Sequence, residues 1–448
     1  MMTIDQARDR AAQIVERARG AGADAADAVF SADASTEVSV RLGALEDVGR
    51  SENAELGLRV FVGRRNASVS TSDFSDAGLS ALVERAVAMA REAPEDEWAG
   101  LAPADRLLRA APPAIDLDDG GEVAPEALKA RALAAEDAAR AVDGVTNSEG
   151  GSASAGRGVV ALATSHGFVG GYAVSSHGTS ASVLAGTGGN MERDYAYHSA
   201  RHLKHLDDPA TIGAKAGARA VARLNPGRVN SGPMPVVFDP RVGNSLLGHL
   251  LGAIAGQSIT RKTSFLLEAL GTAIFSAGVT IEDDPLRPYG LRSRPFDGEG
   301  LPVAPHTLVA DGVLQTWLLD SASARQLGLE PTGHAARGGA GAPGVSATNL
   351  QMAPGTLSRD ALIADIKRGI YVTELIGMGV NGVTGDYSRG ASGFLIEDGE
   401  ITTPVAEFTI AGNLIDMYKA LMPASDLDFR YAINVPTLRV EGMTVASG

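Results

Sequence analysis

The chain of 448 residues contains no cysteine. Disulfide bonds, thiolate metal ligands and a cysteine nucleophile are therefore excluded throughout it. Aromatic residues make up only 5% of the chain, whereas glycine occurs 54 times, a mixture that favours tight turns and close backbone packing over aromatic-rich ligand cages. No apolar run reaches the roughly 18 residues of a membrane-spanning helix, so no such span is predicted.

Positive charge is also scarce. The chain has 39 basic and 54 acidic residues, a net charge of −15, and no cluster of lysine and arginine. A polyanion would be repelled, so we expect no nucleic-acid partner. Residues 1–23 indicate a charged amphipathic helix rather than a signal peptide, and we expect a soluble cytoplasmic protein that does not bind membranes.

Hydrophobic periodicity and turn residues divide the chain into predicted elements. Helices are predicted at 3–20, 76–92, 125–142, 207–224, 241–257 and 358–372. Strands are predicted at 36–43, 56–63, 66–72, 145–156, 158–165, 168–186 and 236–240, with β-rich stretches at 278–282, 301–319, 393–412 and 431–445. Thr3 and Gln6 have the spacing of a capping box. No internal sequence repeat is visible.

Three histidines follow one another at His198, His202 and His205. On a helix, this spacing of four and then three residues would place them on one face, where two could chelate a metal ion. The alternative is a solvated junction between a strand and a helix, in which Leu203 and Leu206 provide the packing. No acidic general base stands inside this segment at the spacing of a metalloprotease.

A single histidine, His249, stands in the apolar segment SLLGHLLGAIAG at 245–256. One turn away on the predicted helix, only Ser245 carries a polar side chain. We therefore interpret His249 as a hydrogen-bonded core or groove residue rather than as a zinc ligand.

A glycine-rich segment, GVTGDYSRGASG at 382–393, contains the polar residues Asp386, Tyr387, Ser388 and Arg389. As a loop between strands it could bring the backbone close to a peptide or a phosphate. The alternative is a tight β-turn closed by a salt bridge, and the sequence does not decide between the two.

Long segments of the chain resemble the TldD/PmbA family. They are SLLGHLLGAIAGQSITRKTSFL at 245–266, GDYSRGASGFLIEDGEITTPVAEFTIAGNL at 385–414 and VPTLRVEGMTVA at 435–446, together with 57–75 and 192–209. TldD-type members carry H-E-x-x-x-H on a helix and are zinc peptidases, whereas PmbA-type members, also called TldE, lack it. Alignment of the flanking residues puts Gly248, His249 and Ala253 at the three motif positions. This chain therefore resembles the TldE/PmbA type.

The resemblance implies a heterodimer in which the TldD-type partner holds zinc and this chain holds no metal and no cofactor. The complex would process or degrade small unfolded peptides, of the microcin-precursor or antitoxin type. The family name "modulator of DNA gyrase" implies no direct DNA contact. Two alternatives stay open: a metal-independent homodimeric peptide-binding or regulatory protein, and a self-sufficient hydrolase with an unrecognised metal site.

Polar residues in the family segments are candidates for contact with substrate or partner. They are Gln257, Arg261, Lys262, Asp386, Tyr387, Ser388 and Arg389. Patterning and resemblance together predict an α+β fold, with an N-terminal α/β half of antiparallel strands and flanking helices. The C-terminal half is predicted to be β-rich, as a distorted barrel or stacked sheets. We expect an N-terminal domain at 1–115, a central segment at 116–228 and a C-terminal domain at 229–448.

Overall fold

The computed structural model describes residues 2–447 and confirms the α+β class. Its N-terminal half contains one large sheet and four long helices. The strands are β1 (Ala25–Arg41), β2 (Ala44–Val62), β3 (Arg65–Thr71), β4 (Val145–Thr164), β5 (Val169–Ala185) and β6 (Glu192–Ala200). The helices are α1 (Ile4–Gly20), α2 (Asp76–Glu92), α3 (Pro125–Arg140) and α4 (Pro209–Ala222).

The large sheet is antiparallel throughout, in the order β3-β2-β1-β4-β5-β6. The order is symmetric about the central β1–β4 pair, and the units α1-β1-β2-β3-α2 and α3-β4-β5-β6-α4 have the same topology. The N-terminal half thus contains two units of the same topology, although the sequence shows no internal repeat. Its sheet crosses the predicted boundary at residue 115, and the predicted domain limits stay predictions.

Small side chains bring the helices close to the sheet. Ala7 and Ala11 of α1 share a buried cluster with Ala28 and Phe30 of β1. Helices α3 and α4 approach each other so closely that a Cβ atom at Gly213 would collide with the carbonyl oxygen of Ala135. The abundance of alanine and glycine therefore serves close packing of backbones.

The C-terminal half contains short elements around a barrel. Its strands are β7 (Gly232–Phe238), β8 (Ile281–Asp283), β9 (His306–Ala310), β10 (Val313–Leu314), β11 (Ala335–Ala336), β12 (Gly344–Val345), β13 (Leu350–Met352), β14 (Arg368–Ile376), β15 (Asp386–Glu397), β16 (Glu400–Asn413), β17 (Leu421–Pro423), β18 (Ile433–Asn434) and β19 (Leu438–Ser447). Its helices are α5 (Pro240–Ile254), α6 (Gly256–Thr260), α7 (Ser321–Leu327), α8 (Arg359–Ile363) and α9 (Leu414–Lys419).

Five strands close a barrel in the order β16-β15-β14-β7-β19, since β16 also pairs with β19. The β7–β14 pair is parallel and the other barrel pairs are antiparallel. A second sheet has the order β10-β9-β8-β13-β18. Of the two predicted arrangements, the barrel is the one that forms, and closure leaves its strands without a free edge.

Several predicted elements have different limits in the structure. The helix predicted at 358–372 is wrong in its second half, because α8 ends at Ile363 and β14 begins at Arg368. Ile370, Tyr371 and Val372 pair with β7, and these β-branched and aromatic residues are buried on both faces of the sheet. The strands predicted at 145–156 and 158–165 are one continuous strand, β4.

The two halves meet at a buried ion cluster. The carboxylate of Asp27 on β1 accepts hydrogen bonds from Arg59 of β2 at 3.1 Å and from Arg337 of the C-terminal half at 2.5 Å. Burial alone would raise the pKa of Asp27, but the two guanidinium groups hold it below its ordinary value. Between residues 2 and 447, every helix is too short or too polar to cross a bilayer.

Candidate functional site

Helix α5 carries the three positions at which the resemblance places the zinc motif. Asp239 caps the helix, since its side chain accepts the N–H of Arg241 at 2.9 Å, and Pro240 occupies the first turn. Leu246, Leu247 and Leu250 are fully buried on one side. These buried leucines hold the helix against the core, so the other residues of α5, including the three motif positions, have defined orientations.

The motif positions differ in their surroundings. Gly248 is exposed, and a Cβ atom built there meets no other atom within 4 Å. Ala253 is buried, and its carbonyl oxygen accepts a hydrogen bond from Ser264 Oγ at 2.7 Å. Positions five residues apart point about 140° apart on a straight helix. Neither side chain offers a ligating atom, so these residues do not fit a zinc ion.

His249 lies between these positions and points toward strand β15. Its ring meets Tyr387 edge to face, with the ring centroids 6.0 Å apart. Burial, with a smaller contribution from the charge of Arg389, lowers the pKa of His249. The neutral imidazole is therefore favoured. Its Nε2 is buried and has no hydrogen-bond partner among residues 2–447, so the prediction of a hydrogen-bonded histidine is wrong.

Of the two interpretations left open for 382–393, the loop is wrong for residues 386–389, which form the beginning of β15. Asp386 accepts hydrogen bonds from Thr384 Oγ1 at 2.6 Å and from Asn413 Nδ2 at 3.2 Å. Arg389 Nε donates to the carbonyl oxygen of Ile376 at 3.3 Å. The other interpretation is confirmed only in part: a turn forms at 382–384, but the salt bridge does not, since Asp386 and Arg389 bond to different partners. Ser388 is exposed on the same strand.

The other contact candidates separate into two groups. Gln257 Nε2 donates to Asp320 Oδ2 at 3.0 Å, so this side chain holds α6 against the cap of α7. Arg261 and Lys262 are exposed at the end of α6. Phe265 N donates to the carbonyl oxygen of Gly382 at 2.9 Å, which brings the segment of Arg261 and Lys262 next to the turn before β15.

The histidines at 198, 202 and 205 do not share a helix face. His198 lies in strand β6, and the helix predicted around these residues is reduced to a single 3-10 turn at Leu203–His205. His198 Nδ1 accepts the N–H of Asp207 at 3.1 Å, and the His205 ring packs edge to face on Tyr289 at 4.4 Å. Within residues 2–447, no three histidine, aspartate or glutamate side chains are grouped so as to hold a metal ion.

A cavity of about 310 Å³ lies where β6, the end of α4, the first turns of α5 and the barrel strands β14 and β15 meet. Its charged lining residues are Arg193, Asp194, Arg223, Arg241, Glu374 and Arg389. Among all the sequence candidates, only Arg389 lines this cavity. The other charged residues of the cavity were missed because they come from four separate elements and form no local motif.

Comparison with known proteins agrees with this architecture along nearly the whole chain. Family models of the PmbA/TldA metallopeptidase match domain 1 at residues 26–90, the central domain at 118–224 and the C-terminal domain at 231–447. The metalloprotease PmbA of Escherichia coli O157:H7 is 39% identical over 425 residues, which cover 94% of this chain and 92% of that protein.

Two solved structures have the same fold. One is a proposed modulator of DNA gyrase from Bacteroides thetaiotaomicron, with a TM-score of 0.91 and 28% identity over all of both chains. The other is TldE from Thermococcus kodakarensis, with a TM-score of 0.87 over 97% of this chain and 99% of that one; at 22% identity it supports the fold alone. From the matched family models and the relative at 39% identity, we conclude that this chain belongs to the PmbA/TldD family.

Proposed function

We propose that the chain is the non-catalytic subunit of a zinc metallopeptidase complex, paired with a TldD-type subunit that holds the zinc. The observation that carries this proposal is the set of side chains at the three motif positions of α5. Gly248 and Ala253 have no ligating atoms, and His249 stands where the resemblance puts the general base. The chain also has no cysteine that could supply a ligand from elsewhere.

The chemistry of the complex then divides between its subunits. The partner would hold the zinc, which when bound would supply an activated water for hydrolysis of the amide bond, and a glutamate of the partner would be the base. This chain contributes walls of the substrate channel and the surface that holds the partner. The substrates are small unfolded peptides, such as microcin precursors or antitoxins, and the cytoplasmic location expected from the sequence stays a prediction.

An exposed apolar turn supports a partner contact next to α5. Ile376 at the end of β14 is 57% exposed, and Met378 and Val383 in the connection from β14 to β15 are 85% and 54% exposed. Arg261 and Lys262 lie beside this turn, through the bond from Phe265 to Gly382. Exposed apolar groups rimmed by charge are typical of protein interfaces.

An extended peptide can add to the outer edge of strand β6. This strand ends the large sheet, and within residues 2–447 no other strand pairs with its outer side. Main-chain hydrogen bonds to such an edge hold peptides of varied sequence. The edge runs past the cavity beside α5, since Arg193, Asp194 and Tyr195 of β6 line it. The N–H and C=O of Tyr195 are already bonded to Asp194 Oδ1 and Arg219 Nη1, so a peptide would pair with other residues of β6.

The decisive experiment compares the purified chain, a TldD-type subunit and the mixture of the two for partner binding, zinc content and cleavage of an unstructured peptide. We expect a stable complex, zinc in the partner only, and cleavage by the complex that a chelator abolishes. Met378→Asp should weaken the complex, whereas Leu329→Asp, at an exposed leucine after α7 and outside the β14–β15 connection, should leave it intact.

Different results would favour the two alternatives. Stoichiometric zinc in this chain alone, lost in His202→Ala, would identify a self-sufficient hydrolase. Peptide binding by a homodimer, with no cleavage in any mixture, would identify a metal-independent binding protein.

A further inference from the structure

We propose that the cavity beside α5 binds the terminal carboxylate of a short peptide, with Arg389 as the residue that pairs with it. This inference rests on the proposed function, because it assigns the part of a peptide that this subunit recognises. The cavity, of about 310 Å³, is at the lower end of the range for small-ligand sites and has room for one or two residues rather than for a folded segment.

The charges around the cavity are unbalanced. Four arginines and two carboxylates line it, in a chain whose net charge is −15. Both carboxylates are already paired: Asp194 with Arg241 at 3.0 Å, and Glu374 with Arg223 at 2.6 Å. The excess is positive, so the cavity recognises an anion and not the ammonium end of a peptide.

Arg389 is the lining cation that remains available. Its one hydrogen bond to a described residue goes from Nε to the carbonyl oxygen of Ile376, and no described carboxylate lies within 4 Å of it. Arg193 has its partner, Glu149, at 3.5 Å outside the cavity lining. The guanidinium of Arg389 therefore keeps Nη1 and Nη2 for a planar acceptor, and a carboxylate is such an acceptor.

A second observation, independent of charge, points to a ligand. Thr373 lines the cavity, is only 6% exposed, and its Oγ1 has no hydrogen-bond partner among the described residues. A buried hydroxyl without a partner costs about 1–3 kcal/mol. A carboxylate oxygen in the cavity would accept a hydrogen bond from this hydroxyl. Val242 and Leu375 provide apolar walls for the last side chain of the peptide.

The test measures binding to the full chain without its partner, by fluorescence anisotropy of a labelled alanine-rich tetrapeptide. The same peptide is used with a free C-terminal carboxylate and as the C-terminal amide. We expect the free acid to bind about tenfold or more tightly than the amide, because the amide cannot form the charged pair. Inorganic phosphate at the same concentration should compete weakly.

Two variants locate the site. Arg389→Gln should remove the preference for the peptide with a free carboxylate. Thr373→Val should weaken the binding of that peptide several-fold. It should not lower thermal stability, because the lost hydroxyl has no partner in the unliganded chain. Arg368→Gln, on the same barrel strand as Thr373 but outside the cavity lining, is the matched control and should bind as the parent chain does.

Equal binding of acid and amide, or an unchanged preference in Arg389→Gln, would overturn the assignment. Competition by phosphate as strong as by the free peptide would also overturn it, in favour of a general anion site. This test needs no partner and no cleavage, so it can fail while partner-dependent cleavage is observed, and it can succeed while cleavage is not.

Discussion

The imidazole of His249 and the phenol of Tyr387 meet edge to face, with ring centroids 6.0 Å apart. Within residues 2–447, neither His249 Nε2 nor the Tyr387 hydroxyl has a hydrogen-bond partner. Helix α5 and strand β15 are thus joined by two polar groups that the surrounding chain does not satisfy. The contribution of each group to the free energy of unfolding can be measured separately.

Tyr387→Phe should leave the free energy of unfolding unchanged or raise it by about 1 kcal/mol, because the buried hydroxyl that it removes has no partner. Tyr418→Phe is the matched control. The Tyr418 hydroxyl donates to the carbonyl oxygen of Leu246 at 2.8 Å, so its loss should cost about 1–2 kcal/mol. Urea unfolding of both variants checks this, and equal destabilisation would contradict it.

His249→Leu should flatten part of the dependence of stability on pH. Burial and Arg389 lower the pKa of His249 in the folded chain below its ordinary value of 6.5. As the pH falls through about 6.5, the unfolded chain takes up a proton that the folded chain does not, so the parent chain loses stability toward acid. Unfolding free energies at pH 5, 6, 7 and 8 should show a smaller loss in the variant; an identical slope would refute the idea.

Glu299→Gln should stabilise the chain above pH 7 and change little at pH 5. Burial, with the charge of Asp297, raises the pKa of Glu299 to about 7, while Ser321 Oγ donates to its carboxyl group at 2.6 Å. The folded chain keeps a proton that the unfolded chain releases, so this contribution is complete below about pH 4.5 and is lost as the pH rises through 7. Glutamine imitates the protonated acid, and melting curves at pH 5 and 8 should show a gain on the order of 1–3 kcal/mol at pH 8 only.

Asp27→Asn should destabilise the contact between the two halves by about 3–5 kcal/mol, since it leaves Arg59 and Arg337 buried without a carboxylate. Asp5→Asn breaks an exposed pair with Arg8 and is the control, with an expected cost below about 0.5 kcal/mol. Guanidinium unfolding of the two variants measures the difference. Similar midpoints would show that the buried cluster contributes little.

Arg325→Lys should expose the connection after α2 to proteases. The guanidinium of Arg325 donates to the carbonyl oxygens of Trp98, Gly100 and Leu101, at distances from 2.6 to 3.3 Å. A lysine ammonium cannot reproduce this fork of hydrogen bonds. Limited proteolysis should cut near residue 98 several-fold faster than in the parent chain. Arg85→Lys, at an exposed position of α2, is the control and should show the parent rate.

Local sequence signals were sufficient to predict many of the helices and strands. The capping box of Thr3 and Gln6 and the limits of α2 follow the predictions, because caps and helical periodicity act over a few residues. The long polar part of β2 was missed, since residues 44–55 show neither an apolar face nor a break. Their strand is stabilised by its pairing with β1, which lies outside any local window.

The residues of the candidate site also fall into those that the sequence could identify and those that it could not. Gly248, His249 and Ala253 could be placed from the sequence, because the residues that flank them within one segment resemble those of the family. The cavity could not, because Arg223, Arg241 and Glu374 are brought together from α4, α5 and β14. The sequence left a metal site at His198, His202 and His205 as one of two alternatives. In the fold the rings of His202 and His205 stack 5.8 Å apart, whereas His198 lies in β6 and accepts the N–H of Asp207.

The sequence by itself determined the family, the α+β class, the absence of thiol chemistry and the lack of ligating side chains at Gly248 and Ala253, since each of these depends only on which residues are present and in what order. Closure of the barrel, the duplicated topology of the large sheet and the arginine-lined cavity were decided by the tertiary structure. The physical reason is distance along the chain: β16 closes on β19 and Asp27 pairs with Arg337 through contacts that no local periodicity encodes.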